Sequence, residues 1–309
     1  MKKVKINLWI ILVMVFLGVG VLNASYRLRS LDGGILQADV AMATFSFENH
    51  VILTDVYIDG EGPFNFMVDT GLYPSQISLT LAKRLGLDIK SRGGNVLGAG
   101  TGNLSYYPTR IKNAKVGSLK IDDLEAIAVE MQHFQGEGKE LHGMLGYSFL
   151  KNRVTTIDYK KQEMRFYTEW PKDFWLNKNR EESVAFPLKL AGGKIPEIPN
   201  LKVNGQPLNA LIDTGCNIGM ILSHGQAARL SLPKVDMSGM EAKAEGTRGQ
   251  FSIVLHRIDK LSLGSLEQDS VIVASHGQGL RASIGNAFLK EYMLTLDYVN
   301  RRVYVVPEE

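Results

Sequence analysis

One tripeptide occurs twice in the sequence and places the strongest limit on the fold. Asp69-Thr70-Gly71 and Asp213-Thr214-Gly215 lie 144 residues apart, and each follows a largely apolar run, residues 64–68 and residues 208–212. A carboxylate at the end of a buried strand is costly because it loses its hydration. Two such strands therefore predict two aspartates that meet at the seam between two copies of one unit.

Other short motifs repeat in the same order around the tripeptides. Arg84-Leu85 matches Arg229-Leu230, and residues 146–151 match residues 285–290, each followed by an Asp-Tyr pair twelve residues after its first Gly. Self-similarity at a nearly fixed period indicates a tandem duplication. Each unit spans roughly 125 residues, which is enough to bury a core of its own.

The hydrophobic pattern predicts short strands and little helix. Residues 51–58 alternate between apolar and polar, and residues 64–68 return after a turn, as in a hairpin. Residues 79–85 have helical spacing and end before Gly86, a residue favoured just beyond a helix; residues 223–230 repeat the helical pattern. Each unit is therefore predicted to be all-β and barrel-like, with one short helix.

Together these motifs resemble the retropepsin-like aspartic proteases, in a bacterial, single-chain form with two fused halves. The resemblance covers roughly residues 51–167 and 197–306 and includes a later motif in each half, Met144-Leu145-Gly146 and Ser283-Ile284-Gly285. It implies an all-β fold of two tandem retropepsin-like (acid protease) β-barrel lobes, with one short helix each and a cleft between them.

The duplication and the resemblance together give a domain prediction for the whole chain. Its segments are residues 1–25 as a signal peptide or membrane anchor, 26–50 as a tether, 51–168 as the first aspartic protease lobe, 169–183 as the inter-lobe connection, and 184–309 as the second lobe.

The resemblance also implies an aspartic endopeptidase with Asp69 and Asp213 as its catalytic pair. Two neighbouring carboxylates do not both ionise cheaply, so they share one proton; the ionised one activates water and the protonated one polarises the peptide carbonyl. Thr70 and Thr214 are expected to brace the paired loops, and the glycines, Gly71 and Gly215, to let the backbone approach the carboxylates.

A flap over the substrate is the weaker part of this prediction. Glycine-rich segments follow each aspartate by about 30 residues, and the family places a hairpin with an aromatic side chain there. The alternative is an ordinary hairpin with exposed tyrosines. The candidate flap residues are Gly100, Thr101, Gly102, Tyr106, Tyr107, Gly246 and Thr247.

The sequence departs from the family pattern directly after each tripeptide. Family members usually have Ser, Thr or Ala there, and this chain has Leu72 and Cys216. Without a hydroxyl to stabilise the ionised carboxylate, the pair is expected to hold its proton more tightly, giving an activity optimum less acidic than that of pepsin. Bulky Leu72 leaves open a catalytically silent, peptide-binding pseudoprotease with the same cleft. Self-processing within residues 24–45 is a third hypothesis.

Composition argues against other classes of partner. The net charge of +3 is small and the Lys and Arg residues are dispersed, so no nucleic-acid partner is predicted. The histidines show no metal-ligand spacing, and no cofactor is predicted. Cys216 is the only cysteine, and a small buried thiol is ordinary packing. The expected partner is a peptide or protein substrate, and the expected state is a monomer, since one chain carries both half-sites.

The N-terminus carries an export signal. Lys2, Lys3 and Lys5 precede an apolar run of 15 residues from Leu8 to Leu22. This length suits a signal-peptide core and falls short of the ~20 residues of a spanning helix, so a cleaved signal and an uncleaved anchor both stay open. The chain is expected in the bacterial periplasm or cell envelope, with membrane contact only through this segment.

Overall fold

The computed structural model describes residues 11–12, 40–131, 140–170, 184–236, 242–277 and 281–307. The predicted signal or anchor therefore lies outside the described residues except for Ile11–Leu12, and the predicted connection lies outside them except for Glu169 and Trp170. Within the described ranges, no helix is long and apolar enough to cross a membrane.

Short strands make up most of the described chain. In chain order they are β1 (Ile11–Leu12), β2 (Val40–Thr44), β3 (Ser46–Glu48), β4 (Val51–Ile58), β5 (Glu61–Val68), β6 (Ser75–Ser78), β7 (Gly94–Asn95), β8 (Ser105–Val116), β9 (Leu119–Val129), β10 (Gly143–Leu145), β11 (Val154–Asp158), β12 (Glu163–Tyr167), β13 (Val184–Pro187), β14 (Lys189–Ala191), β15 (Ile195–Val203), β16 (Gln206–Ile212), β17 (Met220–Ser223), β18 (Ala242–Gly246), β19 (Gly249–Leu263), β20 (Leu266–His276), β21 (Ser283–Ile284), β22 (Tyr292–Asp297) and β23 (Arg302–Pro307). The helices are α1 (Leu79–Arg84), α2 (Tyr147–Leu150), α3 (His224–Arg229) and α4 (Asn286–Leu289).

Each half of the chain forms its own sheet. The first has the order β3-β4-β5-β10-β6-β9-β8-β7, and the second has the order β1-β18-β19-β20-β17-β21-β16-β15-β14. In both, the strand that leads to the tripeptide pairs in parallel with the short strand of the later Gly motif, β5 with β10 and β16 with β21. The two-lobed, all-β prediction agrees with this architecture.

A third sheet joins the two lobes. Its order is β13-β23-β22-β11-β12-β2, so the two Asp-Tyr strands of the duplication, β11 and β22, lie side by side and antiparallel. The hydroxyl oxygens of Thr156 and Thr295 are 2.9 Å apart in the middle of this pairing. Equivalent residues therefore meet across a pseudo-twofold axis, as a duplicated sequence requires.

Capping interactions set the ends of α1 and α3. The Ser78 hydroxyl accepts a hydrogen bond from the backbone of Leu81 at the start of α1, and Gly86 follows that helix with φ +63°. Ser223 and Gln226 form a reciprocal capping box at the start of α3. These two helices are the ones the sequence predicts.

Two sequence predictions need correction. Each lobe has two short helices among its described residues, because α2 and α4 are only four residues long and four residues show no helical periodicity. The predicted tether, residues 26–50, includes β2 and β3, which pair with β12 and β4. Ala43 and Phe45 are buried there, so the packed structure begins earlier than the pattern indicates.

Candidate active site

The two predicted aspartates lie together at the seam between the lobes. Each follows its strand directly, and its backbone N–H donates to the parallel neighbour: Asp69 to the Leu145 carbonyl at 2.9 Å, and Asp213 to the Ile284 carbonyl at 3.0 Å. Both aspartates are fully buried. The later Gly motif of each lobe therefore holds its own Asp loop, in the arrangement that the family resemblance implies.

The two threonines lock the loops to each other. The backbone N–H of Thr70 donates to the Thr214 hydroxyl at 3.0 Å, and the reciprocal bond from Thr214 to Thr70 has the same length. Each hydroxyl also donates across the seam, from Thr70 to the Ile212 carbonyl at 2.7 Å and from Thr214 to the Val68 carbonyl at 2.8 Å. All four bonds cross between lobes, so the relative position of the two aspartates is fixed by buried hydrogen bonds.

The two glycines let the carboxyl groups come close. Gly71 and Gly215 each donate a backbone N–H to Oδ1 of the aspartate in the same loop, at 2.8 and 3.0 Å. A Cβ on Gly71 would lie 2.7 Å from Oδ1 of Asp213, and a Cβ on Gly215 would lie 2.5 Å from Cγ of Asp69. Any side chain at either position would push the opposite carboxyl group away.

Burial and mutual repulsion change the acidity of both carboxyl groups. Burial raises the pKa of Asp69 well above its ordinary value, and the nearby Asp213 raises it further. Burial raises the pKa of Asp213 to about 7, against the opposing effect of its hydrogen-bonding neighbours. Within the described structure, Oδ2 of each aspartate is buried and has no hydrogen-bond partner. The pair therefore holds a proton near neutral pH and keeps two oxygens available for a ligand.

A hydroxyl that the sequence analysis did not assign lies on the Asp213 side. Ser283 is fully buried on β21 and is among the groups that lower the pKa of Asp213. Its counterpart in the first lobe is Met144, which is also fully buried and offers no hydroxyl. The two later Gly motifs differ at this position, where Ser replaces an apolar residue, and the sequence shows this difference. The sequence does not show that the hydroxyl lies near Asp213, because that depends on how the neighbouring strands pack.

Leu72 and Cys216 are both buried in apolar clusters. Leu72 is fully buried in an apolar cluster with Met67, Val96 and Met144, and its carbonyl accepts from Tyr147 N–H at 2.8 Å. Burial raises the pKa of the Cys216 thiol, with a further contribution from the nearby aspartates, which is opposite to what a nucleophilic thiolate needs. Both residues act as packing residues in this structure.

Asn286 connects both lobes beneath the second Asp loop. Its side-chain amide donates to the Thr214 carbonyl at 2.7 Å and to the His50 carbonyl at 2.8 Å. Its oxygen accepts from the Tyr159 hydroxyl of the first lobe at 2.8 Å. An asparagine just after a glycine gives no sequence signal for this contact, because its partners lie 72, 236 and 127 residues away.

The predicted flap segments meet at their tips. In the second lobe, β18 and β19 form a hairpin with Thr247 and Arg248 at its turn; in the first, residues 96–104 connect β7 and β8. The backbone of Arg248 donates to the Ala99 carbonyl at 2.8 Å and accepts from Gly102 N–H at 2.7 Å. The Arg248 side chain also donates from Nε to the Gly98 carbonyl at 2.9 Å.

Glycine is required at this contact. Gly100 has φ +111°, and a Cβ there would lie 2.5 Å from the backbone of Arg248. A Cβ on Gly246 would lie 2.6 Å from Ala99. Thr101 is exposed and Thr247 is buried, so the two tips present different surfaces.

The two flap tyrosines lie at the base of the first flap. Both are on β8, where Tyr106 pairs with Gly94 and Val129, and Tyr107 with Ala128. The Tyr106 ring covers Gly93 and contributes to the cluster around Leu72, whereas Tyr107 packs against the main core. Tyr106 is therefore the flap aromatic on the Leu72 side, and its contact with a substrate stays a prediction.

Hydrogen bonds to protein groups are formed by His50, His142, His224 and His256. His224 Nδ1 and His256 Nε2 both contact the Ser275 hydroxyl, at 2.9 and 2.8 Å. In the part of the chain that the structure describes, no three His, Cys, Asp or Glu side chains are grouped as metal ligands.

Comparison with known proteins places this geometry in a family. The family model described as "Aspartyl protease" matches residues 54–149 and 200–288, one region in each lobe. Among solved structures, the crystal structure of Basic 7S globulin from soybean has a TM-score of 0.48 and 11% identity, covering 88% of this chain and 96% of that chain. No curated protein matches the chain.

Proposed function

Because the chain belongs to the aspartyl protease family, we propose that it is an endopeptidase that hydrolyses peptide bonds with water activated by Asp69 and Asp213. One observation carries the proposal: two fully buried carboxyl groups meet at the seam of the lobes, and Oδ2 of each has no hydrogen-bond partner among the described residues. A structural role alone does not account for two buried acids, since each costs free energy unless its charge is used or paired.

The two carboxyl groups divide the chemistry according to their acidity. We assign Asp213 as the general base, because its hydrogen-bonding neighbours favour the ionised form, and Asp69 as the group that keeps the shared proton. Asp213 takes a proton from water as the water oxygen attacks the peptide carbonyl carbon. Asp69 gives its proton to the carbonyl oxygen. As the C–N bond breaks, Asp213 gives the proton that it took from water to the leaving nitrogen, and Asp69 takes a proton back from one hydroxyl of the tetrahedral intermediate. The products are a carboxylic acid and an amine, and the pair returns to its singly protonated state.

The loops support this reaction by holding the carboxyl groups still. The Thr70–Thr214 exchange keeps them at a fixed separation, and the N–H groups of Gly71 and Gly215 direct Oδ1 of each. Such preorganisation avoids the cost of reorienting dipoles during the reaction. The joined flap tips cover a site that excludes water, and they must separate for a peptide to enter.

Peptide hydrolysis by the full chain tests the proposal. A peptide library assayed between pH 3 and pH 8, with products read by mass spectrometry, should show internal cleavage that Asp69→Asn and Asp213→Asn each abolish. Cleavage that survives either substitution contradicts the shared-proton mechanism. Peptide binding without any turnover, under all these conditions, contradicts the endopeptidase and leaves a peptide-binding cleft.

The same assay gives a pH profile. Because both carboxyl groups have raised pKa values, the singly protonated pair forms as pH rises, and kcat/KM should increase through about pH 7. A profile in which kcat/KM is highest at pH 3 and falls toward neutral pH contradicts this assignment.

We also propose that the folded part is exported and works as a monomer. Support for export comes from the three lysines before the apolar run at Leu8 to Leu22. A reporter enzyme active only outside the cytoplasm, fused after residue 50, should be active; activity that is unchanged after deletion of residues 1–25 contradicts export by this segment. Both half-sites belong to one chain, so sedimentation should give the mass of one chain.

A further inference from the structure

A cleft of about 1160 Å³ lies beside the first Asp loop. Tyr73 and Pro74, which follow that loop, form one wall with Tyr106 of the flap base, and Gly192 and Lys194 enter from the second lobe. Pockets for small ligands are about 300–1,000 Å³, so this cleft has room for several residues of a peptide. The cleft adjoins the residues that follow the Asp loop and the base of the first flap, so it can hold one end of a peptide whose scissile bond lies at the aspartates.

Most cations of the cleft wall already have carboxylate partners. Arg110 and Lys112 share Asp123, at 2.6 and 2.8 Å. Lys90 forms an ion pair with Asp88. Each of these three cations therefore has a carboxylate partner, although Arg110 and Lys112 share one.

Lys194 differs from the other cations. Its Nζ lies 3.8 Å from the centre of the Tyr73 ring, and in the described structure no carboxylate forms an ion pair with it. Glu125 attracts the Lys194 charge, but its carboxylate is engaged with the Tyr73 hydroxyl at 2.7 Å and with Lys151 at 3.5 Å. Of the other carboxylates in the wall, Asp88 pairs with Lys90, and Asp59 accepts from Asn113 at the opposite end of β8.

The contact with Tyr73 positions the ammonium without using its donors. A cation over a ring face is attracted by the ring quadrupole, so all three N–H groups of Lys194 remain available for a ligand. Partial burial lowers the pKa of Lys194, which shows that its charge has lost some hydration. A carboxylate that approached would therefore replace missing water as well as compensate the charge.

We propose that Lys194 forms a substrate subsite that binds an acidic side chain, aspartate or glutamate, at one fixed position from the scissile bond. This subsite rests on the proposed peptidase function. It is built from both lobes, Tyr73 from the first and Lys194 from the second, so it exists only when the two halves are assembled.

Cleavage of a peptide library by the full chain tests the preference. The native chain should favour Asp or Glu over Asn or Gln about tenfold in kcat/KM at one position, the value of a hydrogen-bonded charge pair. Lys194→Gln should remove the preference, Lys194→Arg should keep it, and Lys194→Glu should favour Lys or Arg instead. Lys189→Gln is the control, because Lys189 is exposed at the start of the same hairpin and does not line the cleft.

A binding measurement separates this subsite from the catalytic proposal. The Asp69→Asn, Asp213→Asn double variant is used to capture peptides from the same library, which are then identified by mass spectrometry. Enrichment of acidic peptides that disappears with Lys194→Gln supports the subsite even if the native chain cleaves nothing. Cleavage or capture without acidic preference, or with a preference unchanged by Lys194→Gln, overturns the subsite and leaves the peptidase proposal standing.

Discussion

The native chain should become less stable as pH rises, and replacement of both Asp69 and Asp213 by asparagine should remove this pH dependence. The folded pKa of Asp213 is about 7, against an ordinary value of 3.8. The folded state therefore binds this proton more tightly than the unfolded state does, and the resulting stability is lost as pH increases through 7. Asp69, with its pKa also raised, acts in the same direction at higher pH.

The size of the effect follows from the pKa. Between the unfolded pKa and pH 7, the Asp213 proton contributes about 1.4 kcal/mol of unfolding free energy for each unit by which the pH lies below 7. Between pH 5 and pH 8 the native chain should therefore lose about 3 kcal/mol of unfolding free energy from the Asp213 proton, and the raised pKa of Asp69 adds to this loss. His276 works in the opposite direction, because burial lowers its pKa to about 4 and its protonation on unfolding lowers stability in acid.

The informative quantity is thus the difference between native chain and double variant at each pH. Urea unfolding at pH 5, 6, 7 and 8 gives this difference, and the His276 contribution cancels because both proteins carry it. The difference should fall by at least about 3 kcal/mol across the series. Asp122→Asn, an exposed carboxylate on β9, is the control and should show no such trend. A native-minus-variant difference that stays constant with pH refutes the buried shared-proton pair.

Three further substitutions test separate parts of the structure. Thr70→Val should cost about 2–4 kcal/mol in urea unfolding, since two buried backbone groups lose their partner, while Thr70→Ser should retain most of the stability; equal losses contradict the hydrogen-bond argument. Gly100→Ala should lower kcat/KM at least tenfold by separating the flap tips, whereas Gly205→Ala, with φ +80° but open space, should leave kcat/KM unchanged; equal kinetic effects exclude the tip contact. In the native chain, His276 should lower the unfolding free energy by about 3 kcal/mol between pH 6.5 and pH 4, and His276→Gln should remove this loss. If the dependence of unfolding free energy on pH is the same in both proteins, other groups cause the loss.

Several features of the candidate site could be predicted because they depend on local sequence and its repetition. The strand before each aspartate, the turn after it and the position of the later Gly motif recur in both halves. Once the duplication is recognised, equivalent residues must face each other across an axis, and Thr70 and Thr214 do so. The helices around residues 79–85 and 223–230 were predictable for the same reason, from caps and spacing.

Other features had no local signal. α2 and α4 are too short for a period, and β2 becomes a strand because it completes the edge of the inter-lobe sheet. Asn286 gains its role only from groups far along the chain. The fit of Leu72 into an apolar cluster is also a matter of packing, since its size alone suggests obstruction.

The sequence by itself determined that this chain is a duplicated all-β protein with two equivalent aspartates, because strand patterns and repeated motifs are encoded residue by residue. Tertiary structure alone decided the acidity of those aspartates and the groups around each of them. Both are buried, but Ser283 lies near Asp213 and Met144 occupies the matching place in the first lobe. Acidity depends on distance and solvation in three dimensions, so the pKa values of both carboxyl groups rise only after the halves have packed together.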